Sequence, residues 1–435
     1  MTEPRGEGRR RRRLTATVTD LEVLRQRAYL IGMARSKGDV AEAEASLHEL
    51  GLLTDTAGSD PVEAVLVRRS HPDAALFIGK GKAKEIAAET KALDIDVVVF
   101  DNELSPAQQR NLSTMFEVDV VDRVALILDI FAQHATSREG MLQVELAQHR
   151  YRLPRLRGRG VELSRLGGGI GTRGPGETKL ETDRRRILER ISKLERQLKH
   201  LGTARATRSK SRSQSDLALV SFVGYTNAGK STLFNRITDA GVLVEDQLFA
   251  TLDSTVRRTE LSGGKPILMS DTVGFVRRLP HQLVEAFRST LEEVTQATLL
   301  LHIVDGSDPN PDSQIEAVHK VLNEIGAATM DEQLVINKTD IADPTAVERL
   351  LSLHPDAVAV SAVSGDGIGE LLEVIAQGLE GVTVELRLNI PYDRGDVVSA
   401  IHEAGEVLDE QHGPDGTELL VKMPKEHADR FARYV

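Results

Sequence analysis

A short segment in the second half of the chain has the residues that bind a chain of phosphates. The apolar stretch Leu217–Val223 runs directly into Gly224-Tyr-Thr-Asn-Ala-Gly229-Lys230-Ser231, and a helical pattern follows over Thr232–Thr238. This is the G-x-x-x-x-G-K-[ST] motif in its strand, loop and helix context. The glycines let the backbone wrap a diphosphate, while Lys230 and the amides at the helix start attract its negative charge. The hydroxyl of Ser231 is the group that such a loop places on Mg²⁺.

The base that this loop serves is indicated by two segments further along the chain. A strand pattern over Leu334–Ile336 ends in Asn337-Lys338-Thr339-Asp340, and Val358–Val360 leads into Ser361-Ala362. The carboxylate of Asp340 can accept hydrogen bonds from guanine N1–H and its exocyclic amine, whereas adenine offers neither donor. A backbone N–H of the Ser361-Ala362 turn is expected to meet guanine O6. The order of these motifs resembles that of a guanine-nucleotide-binding domain and predicts GTP as the nucleotide.

Two further loops match the parts of a GTPase that sense the γ-phosphate. Ile267–Ser270 reads as a strand and ends in Asp271-Thr-Val-Gly274, which resembles the D-x-x-G loop. By that resemblance Asp271 holds Mg²⁺ through water and the amide of Gly274 contacts the γ-phosphate. Upstream, Thr251 is expected to complete the Mg²⁺ shell only when that phosphate is present, with Thr255 as the competing choice. Ordering of these loops by GTP and their release on hydrolysis would constitute a switch.

The motifs together define the residues expected to bind GTP and its metal ion. The GTP-binding set is Gly224, Tyr225, Thr226, Asn227, Ala228, Gly229, Lys230, Ser231, Thr232, Phe249, Ala250, Thr251, Leu252, Asp253, Asp271, Thr272, Val273, Gly274, Asn337, Lys338, Asp340, Ser361, Ala362 and Val363. Within it, the expected catalytic group is Lys230, Thr251, Asp271 and Gly274. The expected Mg²⁺ ligands are Ser231 and Thr251.

Two positions predict how hydrolysis is controlled. Many small GTPases have a glutamine after the D-x-x-G glycine to orient the attacking water, but Phe275 stands here and can form no such bond. Slow intrinsic hydrolysis that a partner accelerates is therefore expected. Asn227 resembles the asparagine of potassium-dependent GTPases, which predicts K⁺ near the phosphates.

Charge is distributed unevenly along the chain. The 435 residues contain 55 Lys and Arg against 66 Asp and Glu, a formal net charge of −11. Residues 150–212, however, carry 19 basic and 6 acidic side chains, and residues 1–13 carry six arginines and two glutamates. A basic segment on an acidic body indicates a polyanionic partner.

The absence of cysteine excludes disulfides and thiolate-bound metals. No apolar run reaches the ~20 residues of a membrane span, so none is expected.

The patterns around the motifs predict an α/β protein of several domains. We expect an Arg-rich tail (1–20), an N-terminal parallel α/β domain (21–140), a helical hairpin with a Gly-rich loop and basic linker (141–215), a P-loop GTPase domain with a Ras-like doubly wound sheet (216–381) and a small α+β domain (382–435). This last domain reads as β-α-β-α, with its first helix near Val397–Glu410.

Four local patterns in the first half and the linker carry specific expectations. We expect one helix over Leu21–Lys37 and another over Arg123–Gln148. We expect a strand over Ala74–Ile78 and an Arg- and Ser-rich linker over Ala204–Ser215. Ile187, Ile191, Leu194 and Leu198 form a narrow apolar stripe on the second hairpin helix.

The Gly-rich loop formally contains G-x-G-x-x-G over Gly169–Gly174, but no apolar strand precedes it, which excludes a dinucleotide-binding loop. A flexible connector and a probe that enters an RNA crevice both fit its composition. On the second interpretation Arg173 and Lys179 contact RNA phosphates, and Arg184, Arg185 and Arg186 are further candidates for such contacts.

Longer motifs resemble one family closely. The stretches that carry the resemblance to the HflX GTPases are Gly171-Thr-Arg-Gly-Pro-Gly-Glu-Thr-Lys-Leu-Glu-Thr-Asp-Arg-Arg185, Phe77-Ile-Gly-Lys-Gly-Lys82, Asp101-Asn-Glu-Leu-Ser-Pro106 and Ile127-Leu-Asp-Ile-Phe-Ala-Gln133. They span most of the chain and weaken in the tail and the last ~50 residues.

The resemblance implies a function that composition does not show. It implies a monomeric cytoplasmic GTPase that binds the large (50S) ribosomal subunit and its rRNA, is stimulated by the ribosome, and splits or rescues stalled ribosomes under stress. Mg²⁺ would be its cofactor and GTP its only small-molecule substrate. Two other readings stay open: an ATP-using RNA remodeller, and a binding module that uses guanine nucleotide with negligible hydrolysis.

Overall fold

A computed structural model describes most of the chain. The described residues are 25–156, 175–213, 217–239, 248–249, 251–252, 254–261, 264–277, 288–380, 383–414, 416–424, 428 and 430–435. The predicted Arg-rich tail, the Gly-rich loop with Arg173, and both Ala250 and Asp253 lie outside these ranges. In the described part of the chain, no helix has the length and hydrophobicity to cross a bilayer.

The first domain is built on a four-stranded parallel sheet with the order β2-β1-β3-β4. Its elements are β1 (Gln26–Ala34), α1 (Val40–Thr56), β2 (Ser59–Arg68), α2 (Lys80–Ala92), β3 (Val97–Phe100), α3 (Pro106–Phe116), β4 (Asp119–Asp122) and α4 (Arg123–His134). The helix expected over Leu21–Lys37 is wrong, because Gln26–Ala34 is a central strand. A strand that is buried on both faces is a continuous apolar run without alternation, so periodicity alone does not separate it from a helix.

Two other expectations fail for local reasons. Ala74–Ile78 forms a turn rather than a strand, because the carboxylate of Asp73 accepts hydrogen bonds from the amides of Ala75 and Leu76. The single helix expected over Arg123–Gln148 is two helices, α4 and α5 (Arg138–Arg155). Ser137 caps the second one by accepting the Gly140 N–H at 2.9 Å.

The basic segment forms a long helix, α6 (Pro175–Ser213), which packs along α5. Leu146 of α5 and Ile191 and Leu194 of α6 are buried together, as the apolar stripe predicted. Arg190 donates two hydrogen bonds of 2.6 Å to the carboxylate of Glu145 beside this contact. The expectation of a linker over Ala204–Ser215 is wrong for most of this segment, because α6 continues through it to Ser213.

The nucleotide-motif region forms a six-stranded sheet with the order β10-β9-β8-β5-β7-β6, in which only the β6–β7 pair is antiparallel. Its elements are β5 (Leu219–Gly224), α7 (Lys230–Thr238), β6 (Thr255–Glu260), β7 (Pro266–Asp271), α8 (Arg288–Thr295), β8 (Leu299–Asp305), α9 (Pro311–Ile325), β9 (Glu332–Asn337), α10 (Pro344–Leu353), β10 (Val358–Ala359) and α11 (Ile368–Glu380). The doubly wound fold is confirmed. The carboxyl ends of parallel β5, β7 and β9 share one edge, where ligands bind in such sheets.

The C-terminal segment is an antiparallel sheet of order β11-β13-β12 with an α-helix, and so is α+β as expected. At the position of the expected terminal helix, the described residues include the short 3-10 helix Ala432–Tyr434. Its elements are β11 (Thr383–Ile390), α12 (Gly395–Ala404), β12 (Glu406–His412) and β13 (Thr417–Pro424). The helix predicted near Val397–Glu410 ends at Ala404, and the rest of that stretch is β12. At Gly405, a Cβ would lie 2.6 Å from Met423, so only glycine permits this close turn from helix into strand.

Candidate nucleotide site

The phosphate-binding loop joins the carboxyl end of β5 to the first turn of α7. Gly224 and Gly229 have positive φ angles of 149° and 90°. A Cβ on Gly224 would lie 2.3 Å from the carbonyl oxygen of Ile303, and one on Gly229 would lie 2.2 Å from the side-chain nitrogen of Asn337. The two glycines are therefore required by both conformation and space, and they let the loop curl back over the start of the helix.

Lys230 and Asp271 are buried in this loop region without an ion-pair partner among the described residues. The ammonium of Lys230 donates to the carbonyl of Tyr225 at 2.7 Å. Burial lowers the pKa of Lys230 to about 8, although the charge of Asp271 opposes the change. Burial also raises the pKa of Asp271, against the hydrogen bond from Ser231. Both ions are thus held at a desolvation cost that a bound phosphate and cation would offset.

The residues proposed for Mg²⁺ converge on one point. The hydroxyl of Ser231 lies 2.7 Å from that of Thr251 and donates to Asp271 Oδ2 at 2.6 Å. Asp271 Oδ1 is buried and has no hydrogen-bond partner within the described ranges. Hydroxyl and carboxylate oxygens are the donors that Mg²⁺ prefers, so the residues fit this ion. Thr255, the competing threonine, begins β6 opposite Asp271 in the strand register.

The D-x-x-G loop lies directly on the phosphate-binding loop. Phe275 N–H donates to Gly224 O at 3.0 Å, and Thr226 N–H donates to Phe275 O at 2.7 Å. A Cβ on Gly274 would lie 2.8 Å from Thr226 and 2.9 Å from the Lys230 ammonium, so a side chain there has no space. The ring of Phe275 is buried in the core and cannot orient a water molecule. Thr272 donates its hydroxyl to the carbonyl of Phe222 at 2.6 Å and fixes the loop to β5.

The base-recognition segments are linked by Asn337. Its side chain donates to Ala228 O at 2.8 Å and accepts the Ala362 N–H at 3.0 Å, which ties the phosphate loop to the Ser361-Ala362 turn. Asp340 is exposed, and its Oδ1 accepts the Ser361 hydroxyl at 2.7 Å. This contact orients the carboxylate that would receive guanine.

The amides of the turn are used unequally. Ser361 N–H donates to Asp366 O, and Ala362 N–H is held by Asn337, whereas Val363 N–H forms no hydrogen bond within the described residues. Both amides of the Ser361-Ala362 turn, which were expected to meet guanine O6, are therefore engaged within the described part of the chain. Lys338 forms an ion pair of 2.7 Å with Asp305, which aligns its stem at the edge of the base site.

Two members of the predicted GTP-binding set direct their side chains at the N-terminal domain. Tyr225 donates its hydroxyl to Glu49 Oε1 on α1 at 2.6 Å and accepts the Arg277 N–H at 2.7 Å. The ring of Phe249 packs edge-on against Phe131 of α4, with ring centroids 4.6 Å apart. Both side chains therefore join the N-terminal domain to the nucleotide loops, and only their backbones are available to GTP.

The partner groups in the N-terminal domain form a buried charge cluster, which we define as Ser46, Glu49, Asp101 and Arg123. Arg123 is ion-paired at 2.8 Å with Glu49 and at 2.8 Å with Asp101, and Ser46 donates to the other oxygen of Asp101. The two carboxylates raise the pKa of Arg123 although burial opposes them. The sequence analysis missed this cluster; the available signal was an Arg directly before the apolar run of α4.

The predicted rRNA contacts are visible in part. Arg185 and Arg186 are exposed on α6 and form ion pairs with helix neighbours, Glu189 at 3.4 Å and Asp183 at 3.7 Å. Arg184 is partly exposed. Lys179 lies in the first turns of α6, and its side chain is outside the described part of the chain.

Comparisons with known proteins agree over nearly the whole chain. Four family models match in order: a GTP-binding GTPase N-terminal region (44–132), a GTP-binding GTPase middle region (134–212), a 50S ribosome-binding GTPase (219–338) and an HflX C-terminal domain (347–435). The GTPase HflX of Lacrimispora saccharolytica is 44% identical over 94% of this chain and 96% of its own. That of Escherichia coli is 45% identical over 87% and 89%. A crystal structure of a GTP-binding protein from Sulfolobus solfataricus in complex with GDP aligns with 81% of this chain and 98% of its own, at 23% identity and a TM-score of 0.42.

Proposed function

Because the chain belongs to the HflX family of GTPases, we propose that it acts on the large ribosomal subunit, where it hydrolyses GTP and splits or rescues stalled or idle ribosomes under stress. The proposal includes a monomeric protein in the cytoplasm, Mg²⁺ as cofactor, and the five-part division of the chain at residues 20, 140, 215 and 381. The observation that carries it is the convergence of Ser231, Thr251 and Asp271 beside Lys230, in a chain whose D-x-x-G loop lacks a water-orienting side chain.

The chemistry of the site follows from the roles of these side chains. Lys230 and the amides of the phosphate-binding loop hold the β- and γ-phosphates, and Asp340 selects guanine. Mg²⁺, held by Ser231 and Thr251 with Asp271 behind them, would neutralise charge that develops on the phosphates. Since Phe275 is buried, the position after the D-x-x-G glycine supplies no group that orients the attacking water, and the ribosome is proposed to complete the site.

The switch is proposed to reach the ribosome-facing regions through the domain contact. Thr251 and Gly274 respond to the γ-phosphate in the proposed mechanism. Each is close in sequence to a residue packed against the N-terminal domain, Phe249 on one side and Phe275 on the other. Loss of the γ-phosphate would therefore change how that domain is held.

Pelleting with purified large subunits tests the central proposal. Binding should be strong with a non-hydrolysable GTP analogue and weak with GDP or no nucleotide. Binding that ignores the nucleotide would refute the switch. A salt series tests the basic helix, because affinity that depends on phosphate contacts falls steeply as salt rises. The triple substitution of Arg184, Arg185 and Arg186 by Gln should reduce that slope, and an unchanged slope would exclude these three arginines as contacts.

Turnover assays test the proposed stimulation and the proposed K⁺. Hydrolysis should be slow for the isolated protein and much faster with large subunits, so fast turnover by the protein alone would contradict the proposal. Asn227 has a φ of 59° at the outer turn of the phosphate-binding loop, where K⁺ is proposed. Equal rates in K⁺ and Na⁺ would exclude this ion.

The ATP-using alternative makes a separate demand. It needs a second nucleotide site, and Gly79-Lys80-Gly81-Lys82 at the start of α2 is the basic segment available in the N-terminal domain. A cavity of about 540 Å³ lies beside it. Excess GTP should suppress any ATP hydrolysis if one site serves both; ATP hydrolysis that persists under GTP would favour the alternative.

A further inference from the structure

Three metal-binding side chains meet on the second sheet, outside the nucleotide site. His302 lies in the middle of β8, His319 on α9 and Glu332 at the first position of β9. Their candidate donor atoms all lie within 4.8 Å of one another. Among the described residues, no other group of three His, Asp or Glu side chains converges in this way.

The carboxylate of Glu332 is shared by the two imidazoles. His302 Nδ1 lies 2.7 Å from Glu332 Oε1, and His319 Nε2 lies 3.0 Å from Oε1 and 3.1 Å from Oε2. The two rings are 5.4 Å apart at 71°. Zn²⁺ ligands at about 2.0–2.1 Å in a tetrahedron are separated by roughly 3.3 Å. Movements of less than about 1 Å would therefore bring the three donors onto one ion.

His302 is the observation that points to a ligand. The side chain is fully buried in a strand whose other residues are apolar up to Asp305, and its Nε2 has no hydrogen-bond partner among the residues that the structure describes. Its Nδ1 faces only Glu332. A fully buried imidazole in this strand has a desolvation cost that one hydrogen bond offsets only in part. Nδ1 is the atom that would bind a metal in place of its bond to Glu332, while Nε2 would keep its present surroundings.

We propose that His302, His319 and Glu332 form a zinc site, with a water molecule as the fourth ligand. Two imidazoles and one carboxylate are a ligand set that zinc takes in proteins, while Mg²⁺ and Ca²⁺ select oxygen donors. The ion reaches the site from the surface, since the side chains of His319 and Glu332 are 48% and 25% exposed. The bound ion ties α9 to β8 and to the strand that ends in Asn337.

The experiment is a titration of the EDTA-treated full-length protein with Zn²⁺, in saturating Mg²⁺ and GDP so that the nucleotide site is occupied. One equivalent of Zn²⁺ should bind, and Co²⁺ in its place should give the intense visible absorption of a tetrahedral site. The melting temperature should rise with Zn²⁺, because an ion that binds only the folded state stabilises it. A stoichiometry of zero would show that the cluster is a hydrogen-bonded His–Glu–His group only and would overturn the proposal.

Two variants locate the ion, and the chain offers a matched control. His319→Ala and Glu332→Gln should each lower the zinc affinity at least about tenfold, because even outer-shell changes cost 10–100-fold. His402 is also 48% exposed and lies 3.7 Å from Glu410, and no third ligand converges on this pair among the described side chains. His402→Ala should leave the affinity unchanged. Zinc binding that is insensitive to both test variants refutes the site, and unchanged GDP affinity in all three confirms that the fold is intact.

Discussion

Buried charges lie on both sides of Tyr225, and the two sides compensate them differently. In the N-terminal charge cluster, Arg123 has a carboxylate at 2.8 Å on each of two sides, from Glu49 and Asp101. On the nucleotide side, Lys230 is hydrogen-bonded to a neutral carbonyl and Asp271 to a neutral hydroxyl. One set of charges is neutralised by the chain itself, whereas the other is arranged for ions that the chain does not contain.

The difference separates a structural cluster from a binding site. Paired buried ions are strongly destabilising only when one partner is removed. Unpaired buried ions are unfavourable in the ligand-free protein and become favourable when a phosphate and a cation arrive. The two sheets differ in the same way at the carboxyl ends of their parallel strands. In the first sheet, arginines of the chain itself fill this edge, with Arg155 on Asp122 at 3.1 Å. In the second sheet, the same edge presents glycine-lined backbone.

The largest expected effect is on the N-terminal charge cluster, where the buried charges are paired. Arg123→Met leaves Glu49 and Asp101 buried without a counter-ion and should lower the free energy of unfolding of the N-terminal domain by about 3–5 kcal/mol. Chemical denaturation followed by circular dichroism measures this. Arg35→Met, at an exposed position just after β1, is the control and should change little. An Arg123→Met protein as stable as the parent would mean that the cluster is not a structural element.

The next largest effect concerns Lys230 on the nucleotide side, where we expect activity to fall without a loss of stability. Lys230→Met should reduce GTP turnover by roughly 10²–10³, since it removes a cation that is arranged for the transferred phosphate. The ligand-free variant should nevertheless be at least as stable as the parent, because a desolvated ammonium is lost. The exposed Lys265→Met is the control for both measurements. Destabilisation of the ligand-free protein by Lys230→Met would remove the contrast between the two clusters.

A smaller effect is expected where the clusters meet. Tyr225→Phe removes the hydroxyl between Glu49 and the Arg277 amide, and a hydrogen bond to a charged group contributes about 1.5–3 kcal/mol. The midpoint of denaturation should fall, while GDP affinity stays close to that of the parent because the loop backbone is unchanged. Tyr392→Phe, whose hydroxyl reaches only Gly413 O at the surface, is the matched control. A loss of GDP affinity without a loss of stability would place the hydroxyl in the nucleotide site.

The sequence predicts the phosphate-binding loop far better than the buried charge cluster of the N-terminal domain. Phosphate binding imposes fixed spacings on Gly224, Gly229 and Lys230 within one loop, so the residue types alone reveal it. The bond from Tyr225 to Glu49 joins residues 176 positions apart, and no local pattern encodes such a distance. For the same reason the strand Gln26–Ala34 was mistaken for a helix: its burial on both faces is decided by neighbours distant in the chain.

The smallest expected effect tests whether the buried ammonium of Lys230 lowers the free energy of unfolding of the ligand-free protein. Burial lowers the pKa of Lys230 from 10.5 to about 8. Below pH 8 the folded and unfolded chains both hold this proton, and the cost is fully present. Between pH 8 and 10.5 only the unfolded chain holds it, so stability should rise with pH relative to Lys230→Met, by about 1 kcal/mol between pH 8 and 9. Saturating GDP should abolish this difference in slope, because the phosphates stabilise the charged form, whereas equal slopes without nucleotide would show that Lys230 is not destabilised by burial.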